Sequence, residues 1–214
     1  MPEAELVSRG REAFARRAWP DAFESLSLAE EAALLGAAEL ELLATSAYML
    51  GHDAEHVRAL ERAHHAHLGA GDTPRAVYCA YWIGHNLMLR GEMGPATGWF
   101  GRGQRLLEGE NQDCSERGYL LIPVLVGHAI AGDHVAAYET ATEIAEIGTH
   151  FADRDLIAIG VHEQGHALVR QGRFDEGLRL LDEVMVAVTA GELSLIVTGL
   201  VYCNTIGFWE SVYE

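Results

Sequence analysis

TPRAVYCAYWIGHNLMLRGEMGPATGWFGRGQRLLEGE, residues 73–110, is the stretch whose reading decides the fold. Val77, Ala80, Tyr81, Gly84, Leu87 and Met88 recur at the three-and-four spacing that gathers apolar groups on one side of a helix. Arg90-Gly91-Glu92-Met93-Gly94 follows, with the glycine freedom a tight reversal needs. Ala96, Trp99, Phe100, Gly103, Leu106 and Leu107 then repeat the spacing on a second helix. Glycine inside a helix costs about 1 kcal/mol against alanine. Gly84 and Gly103 therefore predict close helix-to-helix approach. One such hairpin cannot bury its apolar faces alone, so it is expected to be one unit of a stack.

The unit recurs along the chain. Turn glycines stand at Gly51, Gly91, Gly132 and Gly172, at steps of 40, 41 and 40 residues. Seven residues before them sit Ala44, Gly84, Leu125 and Gly165, and nine after them Leu60, Phe100, Ala141 and Leu181. Twelve after them come Ala63, Gly103, Ile144 and Val184. Small before the turn and large after it is the order that lets a helix pair interlock. The expected fold is all-α, a tetratricopeptide-like α-α superhelix of about eleven helices in a single domain. Its units are 1–36, 37–72, 73–113, 114–152 and 153–192, with a terminal helix at 193–214. Pro123 inside the fourth unit's first helix predicts a kink there. The terminal helix is expected to expose Leu195, Ile196, Leu200, Val201, Ile206, Phe208 and Trp209, a surface for continuing the array or for a homodimer.

Composition narrows the function. The 214 residues carry a formal charge of -17. Phosphate affinity rests on basic groups, so direct nucleic-acid binding is not expected, whereas a cationic partner is favoured. Three scattered cysteines, Cys79, Cys114 and Cys203, suggest a reducing compartment without a disulfide frame. The acidic start MPEAELVSRG has no signal-peptide core. The longest apolar run, Tyr119 to Ala131, is too short for a membrane span. The expectation is a cytoplasmic protein.

The period exceeds the roughly 34 residues usual for tetratricopeptide repeats. More narrowly, GDTPRAVYCAYWIGHNLMLRGEM (71–93), GWFGRGQRLLE (98–108), ERGYLLIPV (116–124), HEQGHALVRQGR (162–173) and VTAGELSLIVTGLVYC (188–203) resemble the tetratricopeptide-like region of LuxR-type transcriptional regulators. In that family such a region precedes a C-terminal helix-turn-helix domain. The resemblance implies a sensor or interaction role and brings no catalytic residues. It also implies arginine where His166 stands, so a second imidazole there is not a family feature.

Two constellations carry chemistry. His162-Glu163-Gln164-Gly165-His166 is an H-E-x-x-H on a helix, and imidazoles at i and i+4 share a face. They could grip Zn²⁺ with Glu163 as base, the reading of a zinc-dependent hydrolase. Asp182, Glu183 and Glu192 are downstream candidates for a third ligand, with nothing to select one. Gly165, however, already falls on the repeat's small position, which accounts for it without a metal.

The second constellation comes from the repeat register. First-helix positions 13, 10, 6 and 3 residues before each turn are expected to line a concave groove. They read Tyr78, Tyr81, His85, Met88, then Tyr119, Ile122, Val126, Ala129, then Ile159, His162, His166, Val169. A sixth set, counted to position 212, gives Gly199, Tyr202, Ile206 and Trp209. Aromatics mixed with histidine suit a peptide or a planar effector. The competing reading is that these side chains pack between helices.

His52 and His56 form another i, i+4 pair and read as solvated, at a turn and a helix start. The glycines at 91–103 lack the lysine of a phosphate loop, so nucleotide hydrolysis is not expected. The expected function is non-catalytic recognition, without a cofactor, of a peptide, a protein partner or a small effector. The alternatives are the zinc hydrolase and an oligomerisation scaffold.

Overall fold

A computed structural model describes the backbone of residues 3–110 and 113–213, and the side chains of 5–109 and 113–205. Among the described residues there are eleven helices and no strand. The chain forms two compact units, residues 1–112 and 113–214. The first contains α1 (Glu3–Ala15), α2 (Trp19–Glu31), α3 (Ala37–Met49), α4 (Asp53–Gly69), α5 (Thr73–Leu89) and α6 (Met93–Glu110). The second contains α7 (Glu116–Ile130), α8 (His134–Phe151), α9 (Arg154–Arg170), α10 (Phe174–Ala190) and α11 (Leu195–Tyr213). Within each unit consecutive helices pack together, and α1 also meets α3, α7 meets α9 and α9 meets α11. No described helix is long and apolar enough to cross a membrane.

The reversals are local chemistry repeated. Gly51, Gly91, Gly132 and Gly172 all have φ between +73° and +83°, the left-handed region that a side chain disfavours. The next residue donates its N–H to a carbonyl five positions back: His52 to Ala47, Glu92 to Leu87, Asp133 to His128 and Arg173 to Leu168. This closes the last turn of each preceding helix and satisfies its orphan carbonyls. Asp72 and Asp153 accept from the third residue beyond them, at 3.1 Å from Arg75 N and 3.0 Å from Leu156 N, and so start α5 and α9. Such caps contribute roughly 1 kcal/mol each. Pro123 sits inside α7, which continues to Ile130.

The interlock expected from the repeat is present at Gly84 and at Gly165. A Cβ on Gly84 would lie 2.5 Å from the Phe100 ring, and one on Gly165 would lie 2.9 Å from Leu181 Cγ. Closer still, a Cβ on Gly160 would come within 2.6 Å of Ala145 N and 2.9 Å of Ala141 O, both backbone atoms of α8. A Cβ on Gly177 would meet the Gly165 carbonyl at 2.6 Å. Helix α9 is thus gripped from both sides by bare backbone.

Two expectations are corrected. Helix α11 does not stand apart: Val197 and Val201 are fully buried, and the helix packs on α9 and α10. Leu195, Ile196 and Leu200 are half-buried, while the side chains of Ile206, Phe208 and Trp209 lie outside the described residues. His56 is not solvated. It is 2% exposed, its Nδ1–H donating to the Ala44 carbonyl at 2.9 Å, whereas His52 is exposed. The bond joins α4 to α3 over 12 residues, and no local pattern reports it.

Because rigid backbone faces Gly160, Gly160→Ala is expected to lower the unfolding free energy by about 2 kcal/mol or more. At exposed Gly94 nothing lies within 4 Å of a Cβ, so Gly94→Ala is expected to raise it by about 0.5–1 kcal/mol. Urea unfolding followed by far-UV circular dichroism checks both signs.

Candidate functional site

Helices α7, α8 and α9 of the second unit leave a groove of about 540 Å³ between them. Leu125, Val126, Ala129 and Ile130 give it an apolar wall from α7, and Ala137 closes it from α8. Helix α9 contributes the polar wall: Glu163, His166 and Arg170, one helical turn apart in succession. Ile130 is 83% exposed, an unusual position for an isoleucine that only packs a core. The volume lies in the range of roughly 300–1,000 Å³ typical of ligand sites.

Beneath this wall is a polar cluster. His162 is 1% exposed. Its Nε2 lies 3.0 Å from Thr205 Oγ1 on α11, and its Nδ1 lies 3.0 Å from Glu163 Oε1. His166 Nδ1 lies 3.6 Å from Glu163 Oε2, and the two imidazole centroids are 4.1 Å apart. Burial pushes the Glu163 carboxyl up, but its contacts with both histidines outweigh that and hold it well below the usual carboxylate range. Burial drives the His162 pKa down against the pull of Glu163. The carboxylate therefore sits between the two rings as their shared partner, not as a free base aimed at a substrate.

The first unit's groove candidates lie on α5. Tyr81 is 1% exposed, its ring against Trp82, His85 and Phe100. His85 is 9% exposed, and burial takes it from 6.5 to about 4. Tyr78 and Met88 are half-buried, with the Arg75 guanidinium 4.5 Å above the Tyr78 ring. Trp82 Nε1, His85 Nε2 and Asn86 Oδ1 have no hydrogen-bond partner among the described residues. Nearby, Glu41 accepts from His67 Nε2 at 2.6 Å and pairs with Arg75 Nη2, beside the buried Cys79. Burial pushes the Cys79 thiol up to about 12, so it is no nucleophile at neutral pH.

The register positions divide by depth. Tyr119, Ile122, Ile159 and His162 lie in the core, and so does Val169. Tyr119 is tied down further, its OH donating to Asp153 Oδ1 at 3.3 Å. Val126, Ala129 and His166 reach the groove. Tyr202 is 51% exposed on α11 and Trp209 falls outside the described side chains. Glu163 and Arg170 were not expected in the groove. The signal for them was their three- and four-residue spacing from His166, which puts all three on one face. The downstream carboxylates stay apart: Glu183 and Glu192 line a second groove of about 280 Å³, with Arg154, Val161 and Leu193.

No family model matches the sequence, and no curated protein matches it. Solved structures do. The apo form of RapI is similar with a TM-score of 0.67 at 12% identity, over 90% of this chain and 72% of that one. The Rap conjugation gene regulator of plasmid pLS20, in complex with the Phr* peptide, gives 0.65 at 14%, over 97% of this chain. This chain spans 64% of that regulator's length. A putative kinesin light chain from Podosopora anserina with TPR-like repeats gives 0.53 at 15%, over 91% of this chain and 99% of its own. These likenesses show a tetratricopeptide-like helical-repeat fold.

Three buried histidines of the first unit make stability depend on pH. His56 and His64 donate Nδ1–H to carbonyls of Ala44 and Ala76, at 2.9 and 2.7 Å, and His85 lies against Tyr81. Burial lowers all three pKa values below 6.5. The unfolded chain therefore binds more protons than the folded one just below pH 6.5, and stability falls as pH drops from 6.5. His85 alone, lowered to about 4, accounts for about 3 kcal/mol. Urea unfolding at steps from pH 7.5 to 5 is expected to show about 2 kcal/mol of this loss, the rest following only below pH 5, with a shallower slope in His85→Gln.

Proposed function

We propose that this chain is a non-catalytic recognition module that takes a peptide in the groove between α7, α8 and α9. The observation that carries the reading is the pairing of an apolar wall, half-buried Val126 with exposed Ala129 and Ile130, with a polar wall of Glu163, His166 and Arg170. Apolar side chains of a bound peptide would be buried on the first, at about 25 cal/mol per Å². Its backbone and polar groups would bond to the second. A basic peptide is favoured, since the chain carries -17 and Glu163 is held ionised. The pLS20 regulator, similar in fold, was solved with a peptide, which supports this class of ligand. The resemblance to LuxR-type regulators supports a further step, in which ligand occupancy is passed to a DNA-binding domain.

Peptides selected from a random library on the immobilised chain are expected to be basic with one or two large apolar residues. In Ala129→Trp, which fills the groove from an exposed position, their affinity is expected to drop at least tenfold by fluorescence polarisation, with the melting temperature unchanged. Equal affinity for the variant would remove this groove as the site.

A further inference from the structure

The cluster under the polar wall has a proton inventory that bare side chains satisfy poorly. Thr205 has one hydroxyl proton, and its shorter contact, 2.8 Å to the Val201 carbonyl, takes it. Thr205 Oγ1 then accepts at 3.0 Å, so His162 Nε2 carries the hydrogen. On a neutral ring this leaves Nδ1 as a bare lone pair. That lone pair faces Glu163 Oε1 at 3.0 Å. Two acceptors at this distance repel unless a positive charge lies between them. A cation held by both atoms supplies that charge.

We propose that His162 Nδ1, His166 Nδ1 and the Glu163 carboxylate form a binding site for a divalent transition-metal ion of the zinc type. Ligand atoms about 2.0–2.1 Å from a tetrahedral ion lie about 3.3 Å from one another. Glu163 Oε1 lies 3.0 Å from His162 Nδ1 and Glu163 Oε2 lies 3.6 Å from His166 Nδ1, and one ligand atom from each of the three residues lies within 4.8 Å of the other two. Thr205 supplies the hydrogen bond that fixes the tautomer of a metal-bound imidazole. Because Glu163 and His166 line the groove, the ion's remaining position opens towards it. Glu163 is here a ligand, which sets this site apart from a zinc hydrolase whose glutamate must stay free to act on water.

The other cluster of possible ligands, Glu41, His67 and Cys79, does not make the same case. Arg75 already sits on the Glu41 carboxylate and supplies the positive charge, and the Cys79 thiol stays protonated.

The test is metal binding by the full chain after dialysis against a chelator, without any peptide, so its outcome is independent of the peptide reading. Calorimetric titration with Zn²⁺ at pH 7.5 is expected to show one equivalent bound at micromolar affinity or tighter, and Co²⁺ to give visible absorption bands. Glu163→Gln, close to isosteric, and His166→Ala, at a half-buried ring, are each expected to weaken binding at least tenfold while circular dichroism and melting show the fold intact. Thr205→Val is expected to weaken it about tenfold, and Glu41→Gln to leave it unchanged. Absence of saturable binding in the parent chain, or affinity unchanged in Glu163→Gln and His166→Ala, overturns the proposal. Unchanged binding in Thr205→Val alone overturns the role given to that residue.

Discussion

The structure depends on helices approaching closely enough for one backbone to touch the next. At Gly160 the α9 backbone meets Ala145 N and Ala141 O of α8, and at Gly165 it meets the Gly177 carbonyl and Leu181 of α10. Each helical glycine costs about 1 kcal/mol in propensity. The offset is a layer of fully buried residues around these points, Ala141, Ile144, Leu156, Leu181 and Val184 among them. A helix gripped in this way on two sides cannot rotate or slide, because packed interiors have few alternative arrangements. The consequence for function is direct: α9 is the helix that holds His162, Glu163, His166 and Arg170 in place.

Histidine serves this fold in two different ways. In the first unit it is a structural donor. His56 and His64 reach from α4 to carbonyls of α3 and α5, using one nitrogen and remaining neutral in the core. In the second unit His162 engages both nitrogens, one with Thr205 and the other with the Glu163 carboxylate. That second arrangement concentrates charge where the groove opens, while the first keeps charge out. The difference lies in the partner. A backbone carbonyl takes one proton from a neutral ring, whereas the Glu163 carboxylate is shared between two rings.

Much of the architecture was legible in the residues. Gly51, Gly91, Gly132 and Gly172 announced left-handed turns because only glycine adopts them without strain. Gly84 before the turn and Phe100 after it announced a pair that does meet. The groove was legible only in part. A helical register gives the angle at which a side chain leaves the axis, and Val126 and His166, both on the register, line one groove. It gave no depth, so Tyr119, Ile122 and His162, at equally spaced positions, are in fact core. Glu163 and Arg170 lie off the four register positions of α9 and reach the groove through their three- and four-residue spacing from His166.

Periodicity and turn chemistry are properties of consecutive residues, and these alone determined the all-helical repeat, its hairpin boundaries and the placing of an H-E-x-x-H on a helical face. Contacts between residues far apart in the chain were decided only on folding. The sequence could not pair His162 with Thr205, 43 positions away, nor put Ala44 against His56, nor bury Val197 and Val201 of the last helix. Each of these depends on how neighbouring helices are offset along their axes, and that offset is fixed by side-chain volume and backbone approach across the interface, not by the spacing within either helix.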